Sequence, residues 1–145
     1  MQTNKDIKTT EEDVKSFPAR KDTLRGRWMP IYLEPVVGSG ERLTIGVAVA
    51  ANGERLVAPS GVLERLAPLL GERYSDLAYV ADLALRNLDS ALRTLGPGRL
   101  ESWAPPLDGV YVGPIRPGSG ESLEHIARSA FELCAGLHAA LSVSP

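Results

Sequence analysis

The sequence has little of what most chemistry requires. It carries one cysteine, Cys134, and two histidines, His125 and His138, in 145 residues. A single cysteine closes no intrachain disulfide, and so small a set of soft ligands leaves any metal site dependent on carboxylates. No Asp or Glu cluster at metal-ligand spacing stands in the part that reads as folded, and no metal or cofactor is expected. Cationic excess is missing too: 16 Lys plus Arg against 18 Asp plus Glu give a net charge of −2. Phosphate neutralisation is the main source of nucleic-acid affinity, so nucleic acid is not an expected partner. No run approaches the roughly 18 consecutive apolar residues of a membrane span, so no membrane association is expected. The first residues, Met1 to Asp6, lack the apolar core of a secretory signal, and with the lone thiol this fits a reducing cytoplasm. Lysine disappears after Lys21, and arginine is the only strong cation from there on. With abundant Ala, Gly, Leu and Pro, that bias suggests a GC-rich bacterial or phage genome.

At 43% hydrophobic and 23% charged residues, the composition is that of a globular chain. Residues 1–26 alternate charges of both signs with no usable apolar period and read as a flexible arm. Residues 27–145 read as one domain.

Trp28 to Val36 has the aromatic and β-branched content of a strand. Pro30 and Pro35 lack the N–H a central ladder uses, so this strand is expected at an edge. After Gly38-Ser39-Gly40, Leu43 to Val49 alternates Leu43, Ile45, Val47 and Val49 with Thr44, Gly46 and Ala48, a strand covered on both sides whose small face invites close approach. Asn52-Gly53 is the strongest hairpin signal in the chain and leads into a third strand ending at Pro59. Ser60 is expected to cap a short helix that Pro68 kinks or splits and Gly71 ends. A long helix from Ser75 to Leu95 follows, with Asp82–Arg86 and Asp89–Arg93 as i,i+4 ion pairs on its solvated side. Gly109 to Gly113 reads as a fourth strand, Pro114 to Gly120 as a loop, and Ser122 to Leu141 as a final helix whose stripe is Leu123, Ile126, Ala130, Cys134, Leu137 and Leu141. The order β-β-β-α-α-β-α predicts an α+β fold, a small antiparallel meander sheet with helices packed on one face.

Cys134 and His138 are four residues apart on that helix, a spacing that could serve a thiolate nucleophile in a hydrolase or transferase. The same spacing puts both on the apolar stripe, where a cysteine ordinarily packs as a small hydrophobe, and no motif supplies an oxyanion hole. His125 stands nine residues before Cys134, about 180° round the helix, so the three cannot converge on a metal. Gly38-Ser39-Gly40 and Gly118-Ser119-Gly120 match no phosphate-binding pattern and read as turns. Trp28, Tyr32, Trp103 and Tyr111 either fill the core or form an aromatic binding surface. The function expected is a non-enzymatic protein-interaction or accessory module, an adaptor that binds a protein partner, itself included. The first strand or the last helix is expected to supply the self-association contact. A small-ligand sensor is a third reading.

Overall fold

The computed structural model describes residues 23–134. The flexible-arm reading therefore falls almost wholly outside the described residues, as do Leu137, His138 and Leu141 of the last helix. The described residues form an α+β fold in the order β1 (Leu24–Leu33), β2 (Leu43–Ala51), β3 (Glu54–Pro59), α1 (Val62–Leu70), α2 (Arg73–Leu95), β4 (Val110–Val112), β5 (Arg116–Gly120) and α3 (Leu123–Cys134), with a 3₁₀ turn at Leu100–Ser102. No helix among the described residues is long and apolar enough to cross a membrane.

β1, β2 and β3 form the expected antiparallel meander, and the sheet runs β3-β2-β1 with β4 and β5 both pairing the far side of β1. β1 is therefore central, not an edge strand. Pro30 is tolerated because its missing donor points into a gap: β5 pairs Leu24 to Trp28, β4 pairs Ile31 to Leu33, and no strand among the described residues pairs between them. The Pro30 carbonyl faces that same side and accepts the Gly113 N–H at 3.0 Å. Within a strand the N and O of one residue point the same way, so the proline nitrogen sits at the break and costs no ladder bond. Pro35 lies beyond the end of the strand. β5 occupies what reads as a loop. Its Arg-Pro-Gly-Ser-Gly sequence has little strand propensity of its own, and Pro117 is accommodated because, among the described residues, β5 pairs on one side only.

The helices cover both faces of the sheet, not one. Met29, Ile31, Leu33, Ala48 and Ala50 pack with α1 and α2, while Trp28, Val47, Val49 and Ala51 pack with α3. Both faces of β1 and β2 are apolar, so one helical layer could not shield them. The small face of β2 does meet a helix closely: a Cβ built on Gly46 would lie 3.0 Å from Leu85 Cδ2. A register shift opposite Ile31 and Tyr32 leaves Ile45 as an extra residue. This bulge moves Ile45 from the side of Val47 to the α1/α2 core, where Leu43 also packs.

Asn52 (φ 55°) and Gly53 (φ 75°) form the two-residue turn between β2 and β3. The buried Ser60 hydroxyl accepts the Val62 N–H at 3.1 Å and donates to the Thr44 carbonyl at 2.7 Å, fastening the start of α1 to β2. Pro68 does not split α1, which continues to Leu70 and closes with the Gly71 N–H on the Ala67 carbonyl at 3.1 Å. On α2 the Asp82–Arg86 pair forms at 2.9 Å, but Asp89 turns to Arg55 of β3, also at 2.9 Å.

Candidate functional site

The four aromatic candidates divide. Trp28, only 2% exposed, lies under α3, and Trp103, 7% exposed, lies in the α1/α2 core with its indole N–H donating to Asn87 Oδ1 at 2.8 Å. The two tryptophans are on opposite faces of the sheet and cannot share a surface. Tyr32 and Tyr111 are direct cross-strand partners on β1 and β4, and both are half-buried. Arg42 lies over them, its guanidinium carbon 4.1 Å from the Tyr111 ring centre and 6.0 Å from that of Tyr32.

Beside this stack Glu34 is 5% exposed at the end of β1. Its Oε1 accepts the Gly38 N–H and the Tyr111 hydroxyl, each at 3.0 Å, and its Oε2 accepts the Gly40 N–H at 3.0 Å with Arg42 Nε 4.0 Å away. Gly38 and Gly40 both have positive φ, which lets the loop curl its amides onto the carboxylate. The Gly38 amide, helped by Tyr111, Gly40 and Arg42, holds the Glu34 carboxyl below its ordinary range against the opposing effect of burial. The same bond to Glu34 pushes the Tyr111 phenol up. The carboxylate thus accepts three hydrogen bonds, two that hold the β1–β2 loop and one that ties it to Tyr111 of β4.

This clamp has a pH signature. A carboxyl whose folded pKa is depressed adds stability above its unfolded pKa, about 4.3 for glutamate, and loses it as pH falls through the folded value. Glu34→Gln is expected to melt lower than wild type at pH 7, with the two melting temperatures converging as the pH is lowered below the glutamate range. Thermal melts at a series of pH values check this, and a gap that stays constant into acid would show that Glu34 is not ionised in its clamp.

Cys134 is half-buried at the end of α3 and packs beside Trp28, Ile126 and Ala130. Burial pushes its thiol pKa up, with Arg116 opposing only in part. That is the reverse of what a nucleophile needs. Labelling of the native chain at neutral pH is expected to be many-fold slower than after denaturation, and equal rates would restore the thiolate reading. The pairing with His138 falls outside the described residues. His125 is near Gly120, at the opposite end of α3 from Cys134. No group of three or more His, Cys, Asp or Glu able to hold a metal ion occurs among the described residues.

Sequence reasoning missed a groove. Two adjoining cavities of about 240 and 460 Å³ run between β3 and α2 and share Pro59, Asp82 and Leu85 as walls. One extends to the start of α1 at Gly61 to Glu64; the other follows Arg55 and Val57 to Arg86 and Asp89. β3 pairs only with β2 among the described residues, so its other side is open. The two-residue turn makes Ala51 and Glu54 a hydrogen-bonded pair, so Glu54, Leu56 and Ala58 direct their backbone groups to β2. Arg55, Val57 and Pro59 direct theirs outward, and Pro59 has no donor to offer. The available signal was a strand closing a meander and ending in proline, as edge strands do.

The edge thus offers backbone donors at Arg55 and Val57 beside a groove walled by Val57, Pro59 and Leu85 and by the charged Arg55, Asp82, Arg86 and Asp89. Comparison with protein-family models, with curated proteins and with solved structures finds no match for this chain.

Proposed function

We propose that this chain is a non-enzymatic protein-interaction module, an accessory or adaptor domain that meets its partner through the open side of β3. The observation that carries the reading is the outward ladder of Arg55 and Val57, unpaired among the described residues, along the groove between β3 and α2. Such an edge binds another strand by main-chain hydrogen bonds and reads its alternate side chains in adjoining pockets. The expectation that β1 supplies this edge is replaced, because β1 is paired on both sides. The raised Cys134 thiol and the Glu34 carboxylate held by three hydrogen bonds also favour a binding role over a catalytic one.

The testing variant is Val57→Pro. It deletes an outward N–H and leaves the inward ladder to β2 intact. Tagged wild-type and Val57→Pro chains, both shown to be folded by circular dichroism, are compared as baits in extract of the native host. A polypeptide retained by wild type and lost by the variant, the untagged chain itself included, is expected. Identical captured sets would remove β3 as the interaction edge.

A further inference from the structure

We draw no further inference here: the strongest candidate, the open outer side of β3 with the adjoining groove between β3, α1 and α2, belongs to the interaction reading already given, and nothing among the described residues shows what covers it.

Discussion

Trp28→Ala is expected to cost about 3–5 kcal/mol of folding stability, the range for deleting a large aromatic side chain from a closed core. At 2% exposed, Trp28 has no solvent to collapse into. Its neighbours are also fixed: Val47 and Val49 come from the adjacent central strand, Ile126 and Ala130 from α3, and Gly118 from β5. A Cβ on Gly118 would stand 2.9 Å from Trp28 Cδ1 and 3.0 Å from Ile126 Cγ2, so the indole is enclosed on the β5 side by backbone. Truncation therefore leaves a cavity that only a shift of α3 could fill. Denaturant unfolding followed by circular dichroism measures the loss. The result also decides between the two roles open to this residue, because a binding-surface tryptophan could be removed with little change in the midpoint while association fell. An unchanged midpoint would place Trp28 outside the core and overturn the packing of α3 described above.

What the sequence made legible was local. Asn52-Gly53 specifies its own turn, the α2 period is carried by residues three and four apart, and the small side of β2 needs only alternation to be read. The placement of β1 was not legible, because a proline forbids one donor at one position and says nothing of whether a neighbour is absent there. Here the neighbours are two strands from distant parts of the chain, and the gap between them falls at Pro30. β5 is the same problem in reverse. Arg116 to Gly120 becomes a strand through β1 and through the space that Trp28 demands of Gly118, neither of which is visible in five residues. Both-face coverage was implicit in the apolar sides of β2, yet the order of elements does not say on which side a helix crosses. In the candidate sites, four aromatic residues in a sequence do not say which face each one takes, and Trp103 reaches the core opposite Trp28 by way of an irregular connection. The i,i+4 rule paired Asp89 with Arg93 because that rule knows one helix, and Arg55 on β3 competes for the same carboxylate. The Glu34 clamp depends on two loop amides curling back, a geometry that Gly38 and Gly40 permit and do not specify.

Gly26→Ala is expected to be at or above the upper end of the about 1–3 kcal/mol that overpacking usually costs. A Cβ at Gly26 would lie 2.2 Å from the Ala50 carbonyl oxygen and 2.6 Å from Ala51 Cβ. Neither atom belongs to a flexible side chain that could swing aside, so relief has to come from the strands themselves. β1 cannot move away from β2, because Gly26 is paired with Ala51 on one side and with Gly118 of β5 on the other. Gly118 is in turn held against Trp28 and Ile126, so the displacement would propagate into the α3 core. Gly26→Val adds two methyl groups at the same point and is expected to leave no cooperative transition at all. Gly98→Ala is the control: nothing lies within 4 Å of its Cβ position, and losing glycine's freedom in the unfolded chain is expected to be neutral or stabilising by up to about 1 kcal/mol. Thermal melts of the variants beside wild type give the comparison. If Gly26→Ala melts together with Gly98→Ala, β1 and β2 do not meet in the register that pairs Gly26 with Ala51, and the central position of β1 would have to be abandoned with it.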